Sequence, residues 1–284
     1  MSKYIIVSFF LNCASIGVAM DAPAGRLVIS TFSLDNHTQR EQSYDCCGGT
    51  RKRPNEDRYI MDQSLPGIDI VAAVFDGHGG REVSEHLKQK FVPVLKHSIE
   101  ELQAENASID FYEKVFIHTY KLLDEEVKTL RGGATACSLL IKDNIVHIAN
   151  IGDSRLILIK TDGSVSFATR DHNYQHFFEA ERLKQHNVTI KPPYIEFENT
   201  GLKIMCSRSI GDHSVDPGKK VLIPQPEYSK ISLTEKDLAI IIASDGLWDK
   251  MTNEEVAKFV SNPENDRQTI AKIISYNAKK QRKS

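Results

Sequence analysis

Between residues 134 and 168 the apolar positions fall in short β-type runs, ATACSLLI, NIVHIANI, RLILIK and SVSFA, separated by KDN, GDS and TDG. Strands joined by tight turns predict an antiparallel meander. Upstream the period changes. In REVSEHLKQKFVPVLKHSIEELQA, Val83, Leu87, Phe91, Val94 and Leu95 recur at helical spacing, and Pro93 is expected to kink or break the helix. ASIDFYEKVFIHTYKLLDEEVKTL predicts a second helix with Phe111, Val115, Phe116, Leu122 and Leu123 on its buried side. One strand is read at LVISTF in the polar lead-in. Beyond the meander, Asp171 to Gln185 is polar with helical character, and residues 186 to 203 look irregular around Pro192 and Pro193. KDLAIIIAS reads as a buried strand, and TNEEVAKFV as a helix opened by a Thr252/Glu255 capping box. Antiparallel strands with helices in sequential pairs predict an α+β sandwich with helices outside the sheets.

Composition narrows the class. At 284 residues with 40% apolar positions, the chain has the size of one globular enzyme domain. Its formal net charge of −2 gives no broad electrostatic footprint for nucleic acid, and the basic AKKQRKS end reads as a solvated tail. The five cysteines, Cys13, Cys46, Cys47, Cys137 and Cys206, are odd in number and lack metal-ligand spacing. That argues against a disulfide framework and for reducing surroundings. MSKYIIVSFFLNCASIGVAM has the outline of a secretory signal, with its apolar stretch interrupted by Ser8, Asn12 and Ser15. Residues 1–43 are therefore an N-terminal extension or a signal peptide, and the core begins at 44. A cytoplasmic or nuclear location is expected, with the secretory pathway as the alternative if residues 1–19 are a signal. No stable membrane insertion is expected.

Two Asp-Gly pairs carry the candidate chemistry. Each closes an apolar run, VAAVFDG at 71–77 and IIIASDG at 240–246. An Asp-Gly pair is by default a tight turn, as in LILIKTDGSVSFA, where strand residues flank Asp162-Gly163 on both sides. FDGHGG (75–80) and SDGLWD (244–249) are instead followed by helical pattern. Asp76 and Asp245 thus stand at the ends of buried strands, where two carboxylates suit hard cations such as Mg²⁺ and Mn²⁺. Gly77 could offer its carbonyl as a further ligand. His78 could give a proton to a leaving oxygen near neutral pH. Glu56 and Asp57 in RPNEDRYIM form a third acidic cluster, and Asp153 in NIGDSRLILI lies in a turn between strands.

In order along the chain, NEDR (55–58), FDGHGG (75–80), GGATA (132–136), NIGDSR (150–155), RDH (170–172), SRSIGD (207–212) and ASDGLWD (243–249) resemble the type 2C family of metal-dependent serine/threonine protein phosphatases. The resemblance spans residues 44 to 260. It implies two packed antiparallel β-sheets flanked by pairs of antiparallel helices, with two Mn²⁺ or Mg²⁺ ions at one end. By the same resemblance Asp76 bridges both ions, the Gly77 carbonyl binds one and Asp245 the other. Glu56 acts through metal-associated water, Asp153 and Asp249 are accessory carboxylates, and His78 is the general acid. The implied reaction is hydrolysis of phosphoserine and phosphothreonine in proteins by a metal-activated water, without a covalent phosphoenzyme. Segment 173 to 206 corresponds to the region that shapes substrate access, and is expected to be mobile. The protein is expected to act as a monomer on phosphoproteins.

Two departures stand out. Where the family has an arginine gripping the phosphate, this chain has Lys52, flanked by Arg51 and Arg53. Lysine supplies charge but not a bidentate fork, so Arg53 is a candidate substitute. The family's C-terminal Asp-Asn strand, which brings a further metal ligand, has no counterpart before NAKKQRKS. A truncated domain with its final strand missing would have a weaker metal site and an exposed sheet edge. A phosphatase-fold binding protein without turnover is the alternative reading. CGGTRKR (47–53) also matches the Cys-x5-Arg spacing of thiolate phosphatases, but Pro54 and strand-like RYIM follow instead of the helix that chemistry needs.

Overall fold

The computed structural model describes residues 56–61, 65–103, 110–198, 200–218, 220–262 and 264, together with backbone strands at Ile5–Phe9, Ser15–Gly17 and Val28–Ser33. Two sheets form its centre. In the five-stranded sheet the order is Glu227–Ser232, Ile145–Ile151, Ala136–Lys142, Ile70–Phe75 and Arg58–Ile60, every neighbouring pair antiparallel. In the other, Val165–Ala168, Arg155–Lys160 and Asp237–Ala243 are antiparallel neighbours.

The apolar strands read as continuous runs because both faces of each sheet are covered. Along Ile70–Phe75, Ile70, Ala72 and Val74 meet Leu156, Leu158, Ile240 and Ile242 of the opposing sheet. Their neighbours Val71, Ala73 and Phe75 turn the other way. They pack on Val83, Leu87, Phe91 and Leu95 of helix Glu82–Gln103 and on Val115, Phe116, Tyr120 and Leu123 of helix Phe111–Glu126. On the far side, Ile157, Ala239 and Ile241 pack on Leu247, Trp248 and Val256. The result is a four-layer sandwich with helices outside, as the period changes predict.

Two expectations are revised. Pro93 does not break its helix into two elements, since Glu82–Gln103 is one helix. Pro93 itself is exposed while the apolar stripe around it is buried, and burying five large side chains at about 1.5–3 kcal/mol each outweighs a proline cost of about 3 kcal/mol. Residues 186 to 203 are not irregular. Val188–Lys191, Tyr194–Phe197 and Lys203–Ile204 form a three-stranded antiparallel sheet. With helix Phe177–Leu183 it encloses a small core of Leu183, Ile195, Phe197, Val221 and Leu222. Asp237–Ala243 is also paired, in parallel, by Ile5–Phe9, from Ile5↔Ala239 to Phe9↔Ala243.

The TDG hairpin forms as read, with Asp162 Oδ1 accepting from the Ser164 backbone N–H at 2.9 Å. So does the capping box: Glu255 N–H donates to Thr252 Oγ1 at 3.1 Å and Thr252 N–H to Glu255 Oε2 at 2.8 Å. Among the described residues no helix is long and apolar enough to cross a membrane.

Candidate metal centre

Strands from both sheets end together. Ile70–Phe75 delivers Asp76, Ile145–Ile151 leads into the turn carrying Asp153, and Asp237–Ala243 leads through Ser244 to Asp245, first residue of a short helix. Glu56 and Asp57 enter from the lead-in to Arg58–Ile60. Ser244 Oγ donates to Asp57 Oδ2 at 3.1 Å, tying the first and last of these segments across 187 residues of chain. The carboxyl groups of Asp57 and Asp76 share a hydrogen bond.

This crowding shows in the acidities. Burial, and then the charges of Asp57, Asp245 and Asp153, hold the Asp76 carboxyl well above the usual carboxylate range. Burial lifts Asp57 to about 6, with Asp245 and Glu56 adding to it while the hydrogen bonds with Asp76 and Ser244 pull it down. Burial together with Asp245 and Asp171 pushes Asp153 to about 8. Asp249 is raised by burial and by Asp245. Partly desolvated oxygen donors that repel one another are stabilised by a cation placed among them, and an all-oxygen set suits Mg²⁺ or Mn²⁺. The donors are not already drawn onto one point: among the described residues no three His, Cys, Asp or Glu side chains stand at metal-ligating spacing.

The scaffold around the acids explains the intervening motifs. Thr135 of GGATA donates its N–H to Asp76 O at 2.9 Å, and its Oγ1 accepts from Asp76 N–H at 3.3 Å and pairs with Ser154 Oγ at 2.7 Å. Gly152, at φ +85°, lets the Asp153 turn press on Thr135, since a Cβ there would lie 2.5 Å from Thr135 Cγ2. Gly77 also serves close approach: a Cβ would sit 2.5 Å from Glu56 O and 2.8 Å from Ser84 Oγ. Ser84 Oγ in turn donates to Glu56 O.

Gly77–His78, Gly133–Ala134 and Ile210–Gly211 make a miniature sheet that aligns FDGHGG, GGATA and SRSIGD side by side. His78 Nε2 lies 2.7 Å from Asp212 Oδ2, and Ser209 Oγ donates to the same oxygen at 2.6 Å. Burial works against the charged imidazole. The charge and hydrogen bond of Asp212, joined by Asp153 and Glu56, outweigh it and leave His78 with a raised pKa.

Of the residues singled out in the sequence, Glu56, Asp76, Gly77, His78, Asp153, Asp245 and Asp249 come together at this end of the sandwich. Lys52 and Arg53 lie outside the described residues, as do Cys46 and Cys47. Three participants were not singled out, Asp171, Arg155 and Asp212, and Asp57 was named only as Glu56's neighbour in an acidic cluster, with no role. Arg155, Asp171 and Asp212 sit inside the NIGDSR, RDH and SRSIGD motifs, and membership of those motifs was the available signal.

The model of the family "Protein phosphatase 2C" matches residues 40–284, and the chain belongs to that family, in which metal dependence is general. It is 29% identical over 226 residues to bovine protein phosphatase 1L, covering 75% of this chain and 61% of that one. It is 25% identical over 286 residues to the probable protein phosphatase 2C 21 of Oryza sativa subsp. japonica, covering 87% and 82%. The chain thus spans 61% and 82% of these two curated relatives, and 43% of protein phosphatase 2C 7 of Arabidopsis thaliana. The crystal structure of a serine-threonine phosphatase 2C from Toxoplasma gondii shares its fold with a TM-score of 0.66 at 21% identity, covering 82% of this chain and 87% of that one.

Proposed function

We propose that this chain is a protein serine/threonine phosphatase that hydrolyses phosphoserine and phosphothreonine side chains of proteins, with two Mn²⁺ or Mg²⁺ ions as cofactors. The observation that carries the reading is the set of half-buried, mutually repelling carboxylates of Asp57, Asp76, Asp153 and Asp245. Asp76 and Asp245, on rigid strand ends, are the principal holders of the cations, with Asp153, Asp249 and Glu56 around them. Bound there, such ions supply Lewis acidity toward the phosphoryl oxygens and toward the attacking water.

The chain's own groups do the rest. The carboxylates fix where the phosphoryl group sits by fixing the charge that attracts it, and contribute through orientation as well as electrostatics. His78 holds a proton beside them and gives it to the departing serine or threonine oxygen. Segment 173–206 presents Phe177 and Phe178 at 67% and 65% exposure, a suitable surface for the residues flanking a phosphorylation site.

The test is phosphate release from a phosphothreonine peptide during Mn²⁺ titration of the chain. Saturable, metal-dependent release that Asp76→Asn removes and Cys47→Ser leaves intact is the expected result. Tight phosphopeptide binding without release at saturating Mn²⁺ would replace the enzyme with a binding protein.

A further inference from the structure

His78 and Asp212 are 134 residues apart in the chain, yet their side chains meet at 2.7 Å through a purpose-fitted gap. Gly133 lies between them in the miniature sheet, paired with His78 on one side and with Gly211 on the other. A Cβ on Gly133 would fall 2.1 Å from Asp212 Oδ2 and 2.5 Å from its Cγ, so the contact exists only because this position has no side chain. Asp212 is held firmly. It is 2% exposed, its backbone takes φ +57°, and its N–H donates to Gly132 O at 2.7 Å. Gly211 N–H donates to Asp124 Oδ1 at 2.8 Å, which anchors the same turn to helix Phe111–Glu126. Ser209 Oγ and His78 Nε2 converge on one oxygen of Asp212, so the carboxylate's orientation is fixed from two directions.

We propose that Asp212, braced by Ser209, is the positioning residue for the general acid. It holds the His78 ring with Nε2 as hydrogen-bond donor, and so presents Nδ1 as the nitrogen that delivers the proton. The inference rests on the phosphatase reading above. In the step it serves, the P–O bond to the serine or threonine oxygen breaks with its electron pair going to that oxygen. The His78 Nδ1 proton moves onto the oxygen, water forms the new P–O bond and releases a proton to solvent, and His78 is left neutral with Nε2–H still on Asp212. A carboxylate that fixes the tautomer and orientation of a working imidazole acts without touching the substrate.

Asp212→Asn tests this, because asparagine is nearly isosteric and tolerates positive φ, while its amide can present N–H to Nε2 and favour the wrong tautomer. A good leaving group needs no protonation, so p-nitrophenyl phosphate and a phosphothreonine peptide separate the acid's role from the rest of the site. The expected result in Mn²⁺ is a kcat loss of about 100-fold on the peptide with KM within about 2-fold, and a loss under about 3-fold on the aryl phosphate. Adding Asp212→Asn to His78→Gln should cost nothing further, and Ser209→Ala should show a smaller loss with the same substrate pattern. Equal losses on both substrates, or additive losses with His78→Gln, would overturn the assignment. Long-range ¹H–¹⁵N spectra of the histidine rings give a readout independent of turnover. Neutral His78 should be the Nε2–H tautomer in the wild type and lose that preference in Asp212→Asn. A wild type inactive on both substrates would sink the phosphatase reading, whereas an unchanged tautomer would sink the role of Asp212 alone.

Discussion

Arg155 grips Asp171 with two parallel hydrogen bonds, Nε to Oδ1 at 2.9 Å and Nη2 to Oδ2 at 2.7 Å. Its third nitrogen, Nη1, donates to Asn253 Oδ1 at 2.8 Å, and the guanidinium lies 5.2 Å over the Trp248 ring. One planar cation thus joins the NIGDSR, RDH and ASDGLWD segments. It also offsets the charge of Asp171, which otherwise adds to the strain on Asp153 and Asp249. Arg155→Lys keeps the charge but loses the fork and the ring stacking. It is expected to cost about 2 kcal/mol in urea unfolding of the metal-free protein and to weaken Mn²⁺ binding in a titration. Arg155→Met should do more of both.

The metal-free protein should become less stable as pH rises. An acid whose folded pKa lies above its unfolded value keeps its proton more tightly when folded, so the folded state loses ground from the unfolded value upward until the folded value is passed. With Asp57 raised to about 6 and Asp153 to about 8, the window runs from roughly pH 4 to roughly pH 8. Chemical denaturation in EDTA should show this decline, and Mn²⁺ should abolish it. Asp153→Asn should raise the metal-free stability near pH 8 by of order 2 kcal/mol while lowering Mn²⁺ affinity. A metal-free stability that climbs through this window would contradict the crowded-carboxylate description.

How far the sequence carried the architecture follows from which interactions are local. Asp76 and Asp245 were found because each ends an apolar run that no returning strand follows, and that contrast with Asp162 is written in neighbouring residues. Pro93 does not end its helix because propensity is weak against a buried stripe. The VTIK and YIEF strands were overlooked because each is four residues long and Pro192 and Pro193 separate them, so their alternation is brief. Asp212 was quoted within SRSIGD, but its partner is 134 residues away and the space between them is made by a glycine. No spacing rule reports a contact created by an absent side chain.

Glu179 should govern the attachment of the 173–206 segment. It is 1% exposed, and accepts from Arg182 Nη2 at 2.7 Å, Ser207 Oγ at 2.6 Å and Arg208 Nε at 3.0 Å. Burial raises its pKa, but these bonds outweigh burial and bring it to about 2. A depressed carboxyl contributes stability that is complete above its unfolded value of 4.5 and is lost as pH falls from there through about 2. The shift corresponds to about 3 kcal/mol at neutral pH. Glu179→Gln leaves two guanidinium groups facing a neutral amide, so a destabilisation of about 3 kcal/mol is expected at pH 7, shrinking below pH 4.5. Amide exchange should quicken first in Phe177–Leu183 and the adjoining strands, with phosphopeptide KM rising more than kcat falls.

Gly133→Ala offers the sharpest separation of the two halves of the site. The added methyl cannot coexist with Asp212 Oδ2 at 2.1 Å, so the carboxylate must swing away from His78 or the miniature sheet must part. The carboxylates Asp57, Asp153 and Asp245 come from other elements, Asp57 is held by Ser244 Oγ, and Thr135, two residues beyond Gly133, reaches the site through its own Oγ1 on Ser154. Mn²⁺ affinity by calorimetry should therefore stay within about 3-fold of wild type, about 0.6 kcal/mol. Phosphopeptide turnover should fall at least about 10-fold, the loss of one oriented proton donor. If metal affinity and turnover fell together, the miniature sheet would be part of the metal scaffold, and the division between a rigid acid site and a separately braced histidine would not stand.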